Sequence, residues 1–299
     1  MAEALTPPVA AAPPPRQPTV EWQVAGACNY DCSYCIQSPK YRRGRPEAAQ
    51  LDAALAFFSA LPGVWEIKCS GGEAFAHPLF LQQVVPGLID RTPHQISVLT
   101  NLSASPAALA AFVDRTAGRL AVFSASLHLE HVDPDAFLDK AAAVAARLSP
   151  GARLVVNQVV LPGKLAEAAA CKAKTEARGL RWFPQLFKTK AGVSAYPGEE
   201  QALVALIGAA PGPREANLAP SYRGRRCWAG VDYFTVDKDG FAWSCRSAKH
   251  HGEGLLGNIF DGGAARWTAP RACPYGRCPC TVPPNRGMVE GVHPGLGAL

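Results

Sequence analysis

Between residues 19 and 188 the chain alternates short runs rich in β-branched and aromatic residues with longer Ala/Leu-rich stretches of helical periodicity. The short runs are "TVEWQV" (19–24), "VWEIKCS" (64–70), "QISVLTN" (95–101), "LAVFSASLH" (120–128), "ARLVVNQVV" (152–160) and "LRWFPQLF" (180–187). They predict six strands, and the stretches at 47–61, 76–91, 105–117, 134–148 and 163–178 predict five helices between them. Strands and helices in that order form repeated right-handed β-α units on a parallel sheet. The expected fold is therefore α/β, a partial (β/α)6 barrel, with ligands at the carboxyl ends of its strands. Beyond residue 220 the pattern changes: "YFTV" and "FAWSC" flank "DKDG", which reads as a hairpin. The organisation expected is a Pro/Ala-rich disordered tail at 1–18, the barrel at 19–190, a linker at 191–220, a small β-hairpin domain at 221–285 and a tail at 286–299.

Composition narrows this picture. The 299 residues are 48% hydrophobic, enough for one large domain with a small appendage. Thirty Lys and Arg against 24 Asp and Glu give 30 − 24 = +6, a mild excess. Its densest stretch, "KYRRGR" at 40–45, reads as a solvated loop or as cover for an anionic ligand rather than a nucleic-acid track. The N-terminus lacks the basic start and leucine-rich core of a signal peptide, and no apolar run approaches the ~20 residues of a membrane span. A cytoplasmic protein is expected, and in a reducing compartment its ten cysteines read as metal ligands rather than disulfides. Three stand at 28–35 and five between 227 and 280. The isolated Cys69 and Cys171 read as small buried residues, and His250 and His251 as ordinary loop residues.

The first cluster, "GACNYDCSYC", follows the first strand and holds Cys28, Cys32 and Cys35, one thiolate short of a tetrahedral site. The second strand runs directly into Ser70, Gly71, Gly72 and Glu73, where a double glycine permits close backbone approach and the glutamate can accept hydrogen bonds from an ammonium group. Cys28-x3-Cys32-x2-Cys35, with Tyr34 before the last cysteine and Gly71-Gly72-Glu73 one β-α unit later, resembles the radical S-adenosylmethionine (SAM) superfamily across residues 18 to 188. The resemblance implies a [4Fe-4S] cluster on the three thiolates, with one iron left open for the amino and carboxylate groups of SAM. It implies that Glu73 and the Gly71-Gly72 backbone hold that amino group, and that an electron from the cluster cleaves SAM to methionine and a 5′-deoxyadenosyl radical that abstracts a substrate hydrogen. By position, Asn101, Ser126 and Asn157, with His128 nearby, resemble the family's ribose and carboxylate contacts. Ala74 stands where the family often has proline.

The pattern Cys227-x12-Gly240-x4-Cys245, with Cys273, Cys278 and Cys280 beyond it, resembles the SPASM/twitch extension that carries auxiliary iron–sulfur clusters. With fewer downstream cysteines than a full SPASM domain, it implies one auxiliary [4Fe-4S] cluster. The hairpin brings Cys227 and Cys245 together, and two of Cys273, Cys278 and Cys280 complete the set. A bend at Pro279 favours Cys278 and Cys280 and leaves Cys273 spare. The implied activity is oxidation or bond formation on a small polar metabolite or a peptide, fed by a reductant such as flavodoxin or ferredoxin. Two other readings are an iron–sulfur electron carrier, which has no use for the Gly-Gly-Glu turn, and a zinc-ribbon binding module, which leaves the β-α units without employment.

Overall fold

The computed structural model describes residues 16–37, 39, 42–189, 192–208 and 216–292. The N-terminal tail up to residue 15, parts of the 191–220 linker and residues 293–299 lie outside the described residues. All six expected strands form: β1 (Thr19–Ala25), β2 (Glu66–Gly71), β3 (Gln95–Thr100), β4 (Leu120–Leu127), β5 (Arg153–Val160) and β6 (Arg181–Leu186). Each pairs in parallel with the next in chain order.

Between them lie α1 (Ala48–Ser59), α2 (Val85–Arg91), α3 (Pro106–Arg115), α4 (Pro134–Ala145) and α5 (Leu165–Ala177). The starts of α3 and α4 are written locally. Ser105 and Asp133 each accept a hydrogen bond from the backbone N–H three residues on, and a proline occupies the first helical position of each. The helix expected at 76–91 is broken into a 3-10 turn (Ala74–Ala76), a π turn (Phe80–Val84) and α2. Pro86 has no N–H to continue the ordinary ladder, and Val84 N–H reaches back five residues to Leu79 O.

Alternation along the strands divides the sheet into two faces. Val20, Trp22, Ile67, Ile96, Val98, Phe123, Ala125 and Val156 point toward the helices and meet Leu51, Leu55, Phe58, Phe80, Leu88 and Phe112 in one buried core. The opposite face is largely polar, with Glu21 and Gln23 on β1, Lys68 and Ser70 on β2, Ser97 on β3, Ser124 and Ser126 on β4 and Asn157 on β5, while Val122, Val155 and Phe183 form a small apolar cluster on β4–β6. It lines the concave interior of the partial barrel. Past β6 come the short strands β7 (Lys188–Thr189) and β8 (Gly192–Val193) and helix α6 (Glu200–Ile207). The free edge of β6 is closed by one side chain, Asn217, whose Oδ1 accepts from Leu186 N–H (3.3 Å) and whose Nδ2 donates to Pro184 O (2.6 Å).

The C-terminal part comprises β9 (Arg226–Cys227), β10 (Tyr233–Val236), β11 (Phe241–Trp243), α7 (Arg246–His251), β12 (Leu255–Asn258), β13 (Arg271–Ala272) and α8 (Val282–Asn285). The expected hairpin is β10–β11. Gly240, at φ +85°, turns it, and Asp237 Oδ1 accepts from Asp239 and Phe241 N–H. The hairpin is not a detached unit: β10 pairs in parallel with β1, Thr19 opposite Tyr233, so that one nine-stranded sheet runs from β12 to β6. Residues 286–292, expected as tail, are packed. Arg286 grips Glu66 inside the barrel through Nε (2.9 Å) and Nη2 (3.1 Å), and Met288 and Val289 are buried. Among the described residues no helix is long and apolar enough to cross a membrane.

Candidate functional site

Residues 26–37 leave β1 as an irregular loop over the carboxyl ends of the strands, and the Gly-Gly-Glu turn holds it there. Gly72 N–H donates to Ala25 O (2.8 Å) and Glu73 N–H to Ala27 O (3.0 Å). A Cβ on Gly71 would lie 2.2 Å from Ala25 O, and one on Gly72 2.2 Å from Ala27 O. The close approach expected of this double glycine is thus made to the backbone of the cysteine loop itself. Inside the loop Cys35 N–H donates to Cys32 O (3.1 Å) and Tyr30 N–H to the Cys28 sulfur (3.4 Å). Burial pushes the Cys28 thiol up and the Cys32 thiol to about 11, and the neighbouring charge of Cys35 raises both further.

The segment following β4 closes over the loop from the other side. Glu130 accepts from Ser33 N–H (2.8 Å) and from the Ser33 hydroxyl, Tyr34 OH lies 3.0 Å from His128 Nδ1, and His131 stacks on Tyr30 at 4.4 Å between ring centres. Ligand atoms of Cys32, Glu130 and His131 lie within 4.8 Å of one another.

Glu73 is 1% exposed, and its carboxylate accepts from Phe75 N–H (3.0 Å), Thr100 Oγ1 (2.8 Å) and Asn101 N–H (2.6 Å). No lysine, arginine or histidine pairs with it among the described residues. Burial raises its pKa despite those three donors. Asn101 Nδ2 donates to Asn29 Oδ1 (2.9 Å) and reaches the Cys28 sulfur (4.0 Å), and Leu102 beside it holds a left-handed φ of 61°. Ser126 and Asn157 are register partners on β4 and β5, side by side on the interior face.

The five C-terminal cysteines converge from four chain segments. Cys227 stands opposite Arg271 in the β9–β13 pair, and Cys273 N–H donates to Arg225 O (2.8 Å), which draws Cys273 beside it. Cys245 caps α7, its sulfur accepting from Ala248 N–H (3.3 Å). Burial comes first in raising the thiols of Cys227, Cys245 and Cys278. Next come mutual charges: Cys273 and Cys245 act on Cys227, Cys273 on Cys245, and all four other C-terminal cysteines on Cys278. Cys280, favoured with Cys278 by the sequence, faces elsewhere. Its sulfur lies 3.3 Å from Glu21 Oε2 and 3.7 Å from Tyr233 OH. Glu21 also accepts from Tyr233 OH (2.5 Å) and from Arg246 Nε (3.2 Å) and Nη2 (3.3 Å). Burial works to raise the Glu21 carboxyl, and the charges of Arg246 and Lys68 overcome it and hold its pKa at about 2.

No protein-family model and no curated protein matches the chain. Solved structures do match. SuiB of Streptococcus suis bound to its precursor peptide SuiA superposes with a TM-score of 0.59 at 13% identity, over 83% of this chain and 63% of SuiB. SuiB bound to S-adenosylmethionine gives 0.58 at 12%, over 82% and 64%. The protein anSMEcpe, with bound AdoMet and the Cp18Cys peptide, gives 0.56 at 14%, over 83% and 78%. This chain shares the fold of these proteins, a partial β/α barrel.

Within this fold several residues of the site carry no linear motif. Glu130 and His131 meet the cysteine loop through tertiary folding alone, and Gln37, whose Nε2 donates to Gly71 O (3.0 Å) while its Oε1 is buried without a partner, sits in an irregular segment. Glu21 did leave a signal. In "TVEWQV" Thr19, Glu21 and Gln23 alternate with apolar residues, which marks a polar interior face.

Proposed function

We propose that this chain is a radical SAM enzyme, holding a [4Fe-4S] cluster on Cys28, Cys32 and Cys35 and SAM against Glu73. One observation carries the reading: a carboxylate 1% exposed at the strand ends, beside the three-cysteine loop, with three hydrogen-bond donors and no cationic partner among the described residues. A buried charge left unpaired is costly, and the amino group of SAM supplies the missing cation. The orphaned Oε1 of Gln37, which hydrogen-bonds to the same turn from the cysteine loop, offers that ligand a further acceptor. When bound, the reduced cluster supplies the electron that splits SAM into methionine and a 5′-deoxyadenosyl radical able to take a substrate hydrogen.

The chain's own groups bind and orient. Glu73 fixes the amino end of SAM, the glycine turn fixes the cysteine loop to β2, and Asn101, Ser126 and Asn157 offer hydrogen bonds along the interior face. That face, with Gln23, Lys68, Ser70 and Ser124, suits a polar substrate. The peptide complexes of SuiB and anSMEcpe support a peptide as the substrate class, with a small polar metabolite as the alternative. Flavodoxin or ferredoxin chemistry serves as the source of electrons.

For the C-terminal cysteines we propose one auxiliary [4Fe-4S] cluster on Cys227, Cys245, Cys273 and Cys278, with Cys280 left as a thiol on Glu21. The separate hydrogen bonding of Cys280 to Glu21 and Tyr233, and the strand pairing that brings Cys273 beside Cys227, support this set. Anaerobic reconstitution with iron and sulfide tests both sites. About eight irons per chain are expected, falling to about four in Cys273→Ala and staying near eight in Cys280→Ala. After reduction, SAM should yield 5′-deoxyadenosine in the native chain and none in Cys32→Ala. Iron loading without 5′-deoxyadenosine would leave an electron carrier, and about four irons with stoichiometric zinc would make the C-terminal site a zinc knot.

A further inference from the structure

The polar interior face of the barrel carries a surplus of positive charge below the strand ends. Lys68, on β2, is the register partner of Glu21 on β1 and of Ser97 on β3. Both neighbours are already engaged. Ser97 Oγ donates to Glu66 Oε1 (2.6 Å) and accepts from Val122 N–H (3.1 Å). Glu21 takes two bonds from Arg246, together with the Tyr233 hydroxyl and the Cys280 thiol. Lys68 acts on Glu21 through its charge, yet among the described residues it makes no hydrogen bond and no ion pair. Arg246 gives Nε and Nη2 to Glu21, and its Nη1 has no partner among the described residues. The Arg246 side chain is 45% exposed where that of Glu21 is 5%, so a ligand can reach the guanidinium.

Arg246 and Lys68 against Glu21 leave 2 − 1 = +1 at this level of the barrel. The other ions around it are accounted for. Glu66 is matched by Arg286 (2.9 Å), and Lys188, whose Nζ donates to Pro279 O (3.0 Å), lies toward Cys278 and Cys280. A partly buried cation without a counterpart is costly until an anion meets it. Its depth says which anion. Lys68 stands one interior position before Ser70, about 7 Å lower at roughly 3.3 Å per residue, and Glu73 lies beyond Ser70 at the strand end. On the proposed function, on which this inference rests, SAM is held at that end by Glu73. The cations beneath are left for the substrate.

We propose that Lys68 and Arg246 bind an oxyanion of the substrate, a carboxylate or a phosphate, and so fix the substrate with its anionic end deep in the barrel and its reacting carbon toward the strand ends. An ammonium and a guanidinium N–H donating to one oxyanion form charge-assisted hydrogen bonds, which give orientation as well as affinity. A neutral substrate leaves the surplus unanswered, and a cationic one meets repulsion. The substrate class thereby narrows from polar to anionic.

The test uses the reconstituted, unreduced full-length protein with SAM present, so that binding is read without turnover. Three probes are titrated by calorimetry: acetyl-triglycine, its C-terminal amide, which keeps the shape without the charge, and inorganic phosphate. The native chain should bind acetyl-triglycine about fivefold or more tightly than the amide. Lys68→Gln should abolish that preference and Lys68→Arg restore it, with iron content and SAM affinity at the native values in both, which shows that the variants are folded. Phosphate bound in the native chain and lost in Lys68→Gln, with acetyl-triglycine and its amide bound alike, would support the site and make its oxyanion a phosphate. A preference for anions that survives in Lys68→Gln would overturn the proposal. Probes that displace SAM would also overturn it, giving the cations to the carboxylate of SAM. A native chain that takes up neither cluster nor SAM overturns the earlier reading and this one with it, whereas SAM cleavage on reduction with all three probes ignored overturns this one alone.

Discussion

At the scale of single residues the site depends on what is missing around Glu73. Its three donors fix the carboxylate, and among the described residues its charge finds no counterpart. Glu73→Gln keeps the shape and removes the charge. SAM affinity should fall by tenfold or more, about 1.4 kcal/mol or above, while iron content stays at the native value; equilibrium dialysis beside metal analysis reads both. Equal SAM affinity would return the turn to a purely structural role. Gly72→Ala should act differently, since its Cβ would lie 2.2 Å from Ala27 O. The cysteine loop must move, so iron at the first site should be lost along with SAM binding.

The cysteines and the Gly-Gly-Glu turn were legible in the sequence because each is a contiguous motif at the end of a strand. The clamp of Glu130 and His131 on the cysteine loop was not, since nothing local distinguishes those residues from any polar turn. The partners of the five C-terminal thiols were equally hidden. Strand pairing of β9 with β13 brings Cys273 to Cys227, and no spacing rule reports a pairing across 46 residues (273 − 227).

At the scale of elements, α1, β2 and β3 are joined by a buried imidazole. His94 is 0% exposed, its Nε2 lies 2.8 Å from Phe58 O at the end of α1, and its Nδ1 accepts from Trp65 N–H (3.2 Å). Burial lowers its pKa, with the nearby charge of Arg119 acting in the same direction against the Phe58 hydrogen bond. The folded chain therefore keeps His94 neutral while the unfolded chain takes up a proton below about 6.5. The stability held above that pH should be lost progressively as pH falls through it. Urea midpoints measured from pH 7.5 to 5 should show this decline, and His94→Gln should flatten it; an unchanged profile would mean that other groups govern it. The strands and helices themselves were readable to within a few residues because the hydrophobic period switched cleanly. The exception was 76–91, where Pro86 and the π turn interrupt a pattern that looks helical throughout.

At the scale of the molecule, the C-terminal segment is bound into the barrel at two levels. Cys280 and Arg246 meet Glu21 on β1, and Arg286 meets Glu66 further down, with the two side chains of the Arg286–Glu66 pair only 3% and 0% exposed. Removing one partner of such a buried pair costs about 3–5 kcal/mol. Arg286→Ala should therefore lose that much stability in urea titration and expose residues 280–292 to proteolysis. The added change Glu66→Gln should recover part of the loss, and full stability in Arg286→Ala alone would show that the pair does not hold the segment. The sequence pattern showed the hairpin and not its attachment, because parallel pairing of β10 with β1 joins residues more than 200 positions apart.

On the proposed function, the first cysteine cluster lacks a fourth thiolate because SAM takes that iron, with Glu73 steadying its amino group. The direct measurement is electron–nuclear double resonance on the reduced, reconstituted protein with SAM labelled with nitrogen-15 at the amino group. A nitrogen-15 coupling to the cluster is expected, persisting in Cys273→Ala, which would lose the proposed auxiliary cluster, and weakening in Glu73→Gln. A fully loaded first cluster that shows no coupling to labelled SAM would contradict it.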